Sequence, residues 1–334
     1  MSDQKVREVA IIGTGSYLPT RVLTNSDLER MVDTSDEWIR TRTGISERHI
    51  ADESQAASDL AIEAAKPALD MAGLTPEQIQ AVIVTSATHD HQFPATANIV
   101  QDRLGIPTTS GAFDAQAGCS GFVYGLANAY GLIASSIYDN ILLVSVSVLS
   151  RITDWRDRST CVLLGDGAGA VVLRASDKMG IYPHFDLGSE GSGGKHLILP
   201  AGGSRQPATA ETVAQGLHYL RMNGGEVFKF AVRAMVESSE RIMARCGLTP
   251  VDIDLVIPHQ ANARIIEAAA KRWGFSWDKF ILILDRIGNT SDASIPIALD
   301  YAVRHGVLTK DMTVLLTAFG AGLSWGSCVL RWII

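Results

Sequence analysis

Cysteine is scarce in this chain and follows no pattern. The four, Cys119, Cys161, Cys246 and Cys328, are widely spaced among 334 residues. No two have the C-x-x-C spacing of a metal or redox motif, so no metal is expected, and no disulfide framework is evident. That usage fits a reduced, cytoplasmic chain. Long hydrophobic runs are missing too: the most apolar stretches, such as 141–149, have the length of a strand, and no membrane span is expected. The first eight residues are charged and lack the apolar centre of a signal peptide. Positive charge is not in excess. The net charge of −7 supplies no whole-molecule field that would draw the chain to nucleic acid.

What is plentiful is apolar surface. Hydrophobic residues make up 46% and charged residues 19%, enough for a sizeable core in one large domain or two ordinary ones. Alternation and 3.6-residue periodicity predict strands near 9–13, 79–85, 140–147, 253–257, 280–284, 313–318 and 325–333. They predict helices over 55–72, 94–104, 122–137, 225–246, 263–273 and 298–304. Two glycine-rich segments invite a phosphate reading. Gly13-Thr14-Gly15-Ser16 lacks the third glycine of a dinucleotide fingerprint, and Pro19 stops the helix that should follow. The run 165–170 (GDGAGA) has no lysine and no helix after it, so a turn between tightly packed strands is expected. Residues 188–215 show no period, and a loop of that length is usually functional, often a lid.

A repeat divides the chain. Residues 73–84 (GLTPEQIQAVIV) and 247–258 (GLTPVDIDLVIP) are identical at seven of twelve positions. Each follows an Ala-rich helix and precedes another helix. Two similar α/β halves are expected, each a sheet covered by helices. The first half spans 1–175; the second spans 176–334 and contains the lid segment 188–215.

The chain is organised around Cys119. A short strand precedes it, a long apolar run follows, and small residues at 117, 118, 120 and 121 make the corner between them tight. The sulfur therefore sits at a helix N-terminus, where unpaired N–H groups and the positive dipole end favour a thiolate. A free cysteine is often only a small buried hydrophobe, but the glycine-flanked corner puts this one on a turn. In the second half His259, Asn262 and Asn289 stand where strands end in polar turns. A lone histidine reads first as a satisfied core residue. Beside Asn262, and paired with Cys119 and Asn289, it gains a functional reading, because a cysteine nucleophile needs a donor network.

Six segments then carry a resemblance: AGCSGF (117–122), PHQAN (258–262), GNTSDASIP (288–296), TSDEWIRTRTGI (34–45), GDGAGA (165–170) and FGAGLSWG (319–326). In this order they resemble the thiolase superfamily and, within it, the initiating type III β-ketoacyl-acyl-carrier-protein synthases. The resemblance runs from about residue 9 to the C-terminus. It implies an α/β, thiolase-like fold of two similar halves in a five-layered αβαβα arrangement, and a homodimer. It implies an acyltransferase that condenses acyl-CoA with malonyl-acyl-carrier protein by decarboxylation, initiating fatty acid synthesis, with no cofactor besides the coenzyme A thioester substrate. Cys119, His259 and Asn289 match the catalytic positions, and the backbone of Cys119 and Ala321 the oxyanion hole. Trp38, Arg42, Arg158 and Asn262 match coenzyme A contacts, Phe319 a gate between Cys119 and the other two, and Phe93 an acyl-pocket residue reaching across the dimer. Lys229, Arg264, Lys271 and Arg272 would form a basic patch for the acidic carrier protein; each also reads as an ordinary solvated side chain. Asp292 departs from the more usual Ala, Thr317 from the Glu of some members, and Gln116-Ala117-Gly118 from the Ala-rich version. Three other readings stay open: a related condensing enzyme or acyltransferase of secondary metabolism, a papain-like cysteine hydrolase, and a binding protein on the same fold. The hydrolase also uses Cys, His and Asn in that order, although Cys119 lacks that family's local signature.

Overall fold

The computed structural model describes residues 7–334. Residues 1–6, most of the charged N-terminal segment, lie outside the described residues. In the first half, β1 (Glu8–Tyr17) is followed by the paired β2 (Arg21–Thr24) and β3 (Glu47–Ile50), with α1 (Asn25–Glu29) and α2 (Asp36–Thr43) between them. Next come α3 (Ala57–Ala72), β4 (Ala81–Thr85), α4 (Thr96–Leu104), β5 (Gly111–Ala115) and α5 (Gly121–Ala134). The half closes with β6 (Asn140–Val148), the single turn α6 (Arg158–Cys161) and β7 (Asp166–Ser176). One sheet results, in the order β1-β7-β6-β4-β5.

The second half opens with β8 (Ile181–Ser189), β9 (Leu197–Ile198), α7 (Ala210–Ala214), β10 (Arg221–Met222) and the long α8 (Gly224–Cys246). It continues through β11 (Leu255–Pro258), α9 (Ala263–Trp273), α10 (Leu284–Ile287), α11 (Ser294–Arg304), β12 (Thr313–Gly320) and β13 (Ser324–Arg331). Its sheet has the order β11-β12-β13-β8.

Three apolar clusters bind these parts into five layers. Leu60, Ala64 and Ala68 of α3 cover Val82, Val84 and Val144 on the outer face of the first sheet. Between the sheets, Phe122 and Leu126 of α5 and Ile295 and Leu299 of α11 meet Ile83 and Leu143 on one side and Ile257 and Leu316 on the other. On the outer face of the second sheet, Met235 and Ile242 of α8 and Ile266 of α9 pack on Val256, Leu315 and Val329. Burying each of the Val, Leu, Ile, Met and Phe side chains among these contributes about 1.5–3 kcal/mol relative to exposure. The expected αβαβα layering is therefore present.

The repeat is physical as well as textual. Gly73 ends α3 at φ 62° and Gly247 ends α8 at φ 68°, both in the left-handed region that glycine enters without Cβ strain. Each is followed by a single 3₁₀ turn, Pro76–Gln78 and Pro250–Asp252, capped from the side chain of Gln78 or Asp252 back to a threonine N–H. Each turn then feeds a buried strand, β4 or β11.

Several sequence expectations need correction. β1 does not stop at Gly13 but runs to Tyr17. Gly13 and Gly15 lie against the backbone of α3, where a Cβ would strike Ala68 O and Ala64 O, so they serve close helix–strand packing. The GDGAGA run is not a turn: residues 166–170 lie within β7, with Gly169 pressed against Pro296 of α11. Residues 280–284 form no ladder strand. Phe280 bridges Val256 at one point, and the Gln260 side chain takes over, donating to Ile281 O at 3.1 Å and accepting from Ile283 N at 2.9 Å. The segment 188–215 is largely structured: β8 runs to Ser189, a 3₁₀ stretch follows at Gly191–His196, and α7 is capped by Thr209.

Candidate active site

The C-terminal ends of β5, β11 and β12 and the turns that follow them converge on one cavity of about 370 Å³ between the halves. Cys119 lies in its wall, on the single 3₁₀ turn Gly118–Ser120 that joins β5 to α5. Gly118 takes φ 52°, and a Cβ there would stand 2.9 Å from Ala321 N. From the opposite side, a Cβ on Gly320 would stand 2.5 Å from Cys119 N. Only glycine at both positions lets the two backbones approach this closely. The N–H groups of Cys119 and Ala321 consequently both face the sulfur.

The electrostatics differ from the sequence expectation. Burial pushes the Cys119 thiol up to about 11, although the Ser291 hydroxyl, which donates to Sγ at 3.3 Å, and the two N–H groups pull it down. Loss of water thus outweighs these three hydrogen bonds, and the resting group is a thiol rather than the expected thiolate. Ser291 holds its hydroxyl there from a φ of 53°, a left-handed conformation that costs a non-glycine residue about 1–3 kcal/mol.

His259 follows β11, with its N–H bonded to Thr317 O at 2.9 Å. Ser294 Oγ accepts from Gln260 N–H at 3.2 Å and lies 2.7 Å from His259 Nδ1, to which we assign the Ser294 proton. The ring proton is therefore on Nε2, a buried atom without a hydrogen-bond partner among the described residues. Burial pushes the imidazole down to about 3, so it is neutral. Asn289 Oδ1 accepts from Ser291 N–H at 2.8 Å, which sets the amide and leaves Nδ2 as a donor. His259 and Asn289 both line the cavity with Cys119. The Phe319 ring meets the His259 ring edge-on at 5.3 Å. Ser291 and Ser294 escaped the sequence reading. Both lie in the GNTSDASIP motif, from which Asn289 was singled out as catalytic and Asp292 as a departure, and no spacing rule marks a serine that orients an imidazole 35 residues away.

At the cavity mouth, the guanidinium groups of Arg158 and Arg42 lie 5.3 and 5.6 Å from the Trp38 ring. Asn262 caps α9 by accepting from Arg264 N–H at 2.9 Å, and its Nδ2 donates to Arg42 O at 3.2 Å. Arg264 reaches the same mouth. Lys271 and Arg272 lie exposed in the last turn of α9, seven and eight residues further on and hence on the face of Arg264. Lys229, on α8, is ion-paired with Glu226 at 2.9 Å. Phe93 does not line the cavity; it is 87% exposed. Among the described residues, no three His, Cys, Asp or Glu side chains converge as metal ligands.

Known proteins share this sequence and fold. Residues 113–191 match the family model of 3-oxoacyl-[acyl-carrier-protein] synthase III, and residues 243–332 match its C-terminal companion. The chain is 56% identical to the β-ketoacyl-[acyl-carrier-protein] synthase III of Caldanaerobacter subterraneus subsp. tengcongensis, covering 96% of this chain and 97% of that one. The crystal structure of 3-oxoacyl-[acyl-carrier-protein] synthase III from Aquifex aeolicus VF5 superposes with a TM-score of 0.89 at 44% identity, over 97% of this chain and all of that one. A priming β-ketosynthase from the R1128 polyketide pathway superposes at 0.92 with 32% identity, over 100% and 98%. Sequence and fold agree over nearly the whole chain, and it belongs to the 3-oxoacyl-[acyl-carrier-protein] synthase III family.

Proposed function

We propose that this chain joins an acyl-CoA primer to malonyl-acyl-carrier protein, the initiating condensation of fatty acid synthesis, through an acyl thioester on Cys119. The observation that carries this reading is one cavity holding a thiol, two backbone N–H groups beside it and two neutral side-chain donors facing the same space. Cys119 sulfur attacks the acyl thioester carbon, and coenzyme A leaves with the thiol proton. The backbone N–H groups of Cys119 and Ala321 hold the tetrahedral oxyanion. Malonyl thioester then loses carbon dioxide, and the electron pair of the broken C–C bond passes into an enolate. His259 Nε2–H and Asn289 Nδ2–H donate to the enolate oxygen and lower that barrier. The carbanion attacks the acyl-Cys119 carbonyl, and the C–S bond breaks with its electron pair passing to sulfur; the Cys119 thiolate so released takes a proton from solvent to restore the thiol. The hydrolase reading fits less well, because an imidazole held near 3 is no general base at neutral pH.

Trp38, Arg42, Arg158 and Asn262 would take the coenzyme A end, Phe319 would gate the histidine side, and the face of Arg264, Lys271 and Arg272, with Lys229, would meet the carrier protein. β5 ends its sheet with an unpaired edge, which supports pairing with a second copy, and the exposed Phe93 suits an acyl pocket completed across that dimer. No helix of the described residues is long and apolar enough to cross a membrane; a cytoplasmic site of action is part of the proposal. The secondary-metabolism alternative draws on the 32% likeness, the fatty acid reading on the 44% and 56% ones.

The test is intact-mass analysis after acetyl-CoA, then product analysis after malonyl-acyl-carrier protein. An adduct on Cys119 followed by a β-ketoacyl product is expected; an adduct without condensation would shift the reading to a different acceptor.

Two substitutions probe the supporting residues. Ser294→Ala frees the His259 ring to place its proton on Nδ1. Condensation kcat should fall about tenfold, the scale of one lost orienting hydrogen bond, with the KM for acyl-CoA unchanged in steady-state kinetics. Arg158→Ala removes a cation from the Trp38 face. The KM for acyl-CoA should rise about fivefold, equivalent to about 1 kcal/mol of cation–π contact, while Cys119 alkylation stays as in the wild type.

A further inference from the structure

Asp292 places a buried carboxyl one residue from the serine that donates to the reacting thiol, and none of the chemistry above uses it. The residue is 2% exposed. It follows Ser291 in the turn Ser291–Ala293, and Ser291 donates to Cys119 Sγ. Ser147 Oγ, at the end of β6, donates to Asp292 Oδ1 at 2.7 Å, and Thr85, at the end of β4, supplies a second hydroxyl. Oδ2 faces the start of α5: a Cβ on Gly121, two residues after Cys119, would stand 3.0 Å from it. The carboxyl is thus clamped between two strand ends and the turn that carries the nucleophile. Its partners are hydroxyl and backbone groups rather than a cation.

The titratable and charged groups on the elements around this turn are few. β4 and β6 have none; α5 has Tyr124 and Tyr130, β7 has Asp166 and Arg174, and α11 has Asp300, Tyr301 and Arg304. Asp166 is engaged by Ser150 and the Ala51 N–H, Asp300 by Thr14, Ser16 and Arg304, and Tyr124 by Gly188 O. His259, reached through Ser294, is neutral. The group that feels the charge of Asp292 is Cys119, whose thiol it raises.

We propose that Asp292 is a positioning residue that sets how the acylation of Cys119 depends on pH: its negative charge restrains thiolate formation, and its protonation lifts that restraint. The proposal rests on Cys119 being the acylated nucleophile. Burial lifts the Asp292 carboxyl to about 7, so both of its forms are populated near neutrality. Below that point the neutral carboxyl leaves thiol ionisation unopposed. Above it, each new carboxylate works against the gain from rising pH. The logarithm of the Cys119 reaction rate should therefore climb with pH, bend to a shallower slope near neutrality, and climb again.

The experiment is alkylation of Cys119 by iodoacetamide in the full chain, followed by peptide mass across the neutral range. Asp292→Asn keeps the shape and removes the charge. The bend should vanish, and alkylation on the alkaline side should be on the order of tenfold faster, the effect of one pKa unit. Ser147→Ala removes a donor that favours the carboxylate, so the bend should move to higher pH. A purely structural role would change thermal stability without moving the bend. Superimposable profiles for wild type and Asp292→Asn, or an unmoved bend in Ser147→Ala, would overturn the assignment of Asp292. A wild-type Cys119 that is not alkylated at any pH would overturn the nucleophile reading and this proposal with it.

Discussion

Cys119→Ala should abolish the acyl adduct and lower condensation about 10³-fold or more, the range seen when a covalent nucleophile is deleted. The substitution removes one sulfur and keeps the Cβ, so the contact between residues 118–119 and 320–321 survives and both N–H groups keep their positions. The loss is then chemical rather than a failure to fold, and an unchanged melting temperature checks that. Decarboxylation of malonyl-acyl-carrier protein should persist, because His259 and Asn289 are untouched; carbon dioxide release without a β-ketoacyl product is the expected signature. The wild type should also show a definite pH dependence. With the thiol near 11, only on the order of one molecule in 10⁴ holds a thiolate at pH 7. Acylation should therefore accelerate as pH rises, modified near neutrality by Asp292. His259 adds no limb in that range, since it stays neutral above about 3. A rate of single-turnover acylation that falls between pH 7 and pH 9 would contradict a thiol raised by burial.

The parts of this architecture that were legible in the sequence are those written in local rules. The strand–corner–helix around Cys119 follows from an apolar run, a cluster of small residues and the known cost of crowding a tight turn. The two GLTP connectors were visible because each combines a left-handed glycine with a proline-started turn, and both do the same work in space. Other features depended on partners far along the chain. Gly13 and Gly15 are set by the backbone of α3, more than 40 residues later, so they read as a broken phosphate loop. Residues 280–284 have strand composition, yet the Gln260 side chain supplies their backbone partners and no ladder forms. At the site, the residue types of Cys119, His259 and Asn289 were legible, but their protonation was not. Helix-terminus logic alone favoured a thiolate; burial, a tertiary property, reverses it. The orienting serines, Ser291 and Ser294, are common residues in a helix-start motif and become informative only when their hydroxyls are seen against Sγ and Nδ1.

His259→Ala should separate the two half-reactions. Decarboxylation should fall about 10²- to 10³-fold, the loss typical of one donor to a developing oxyanion, while acylation of Cys119 from acyl-CoA continues. The geometry gives the reason. With Ser294 holding Nδ1, the imidazole offers Nε2–H as a neutral donor and stays far from titration, so it stabilises the enolate oxygen without giving up its proton. Asn289→Ala should cost a similar factor, and the double variant less than the product of the two, because both donors serve one oxygen. The same buried imidazole shapes stability. Its folded pKa is depressed to about 3, against about 6.5 when unfolded. Below 6.5 the unfolded chain takes up a proton that the folded chain refuses, so the wild type loses stability as the pH falls toward 3. His259→Ala removes that proton uptake, and its stability should decline less steeply with acid in denaturant titrations. Malonyl decarboxylation followed by carbon dioxide release, and acylation followed by intact mass, read the kinetic half of the prediction independently. Equal loss of both would place His259 in the acylation step as well, and would require its ring to act on the Cys119 proton despite the edge-on Phe319 beside it.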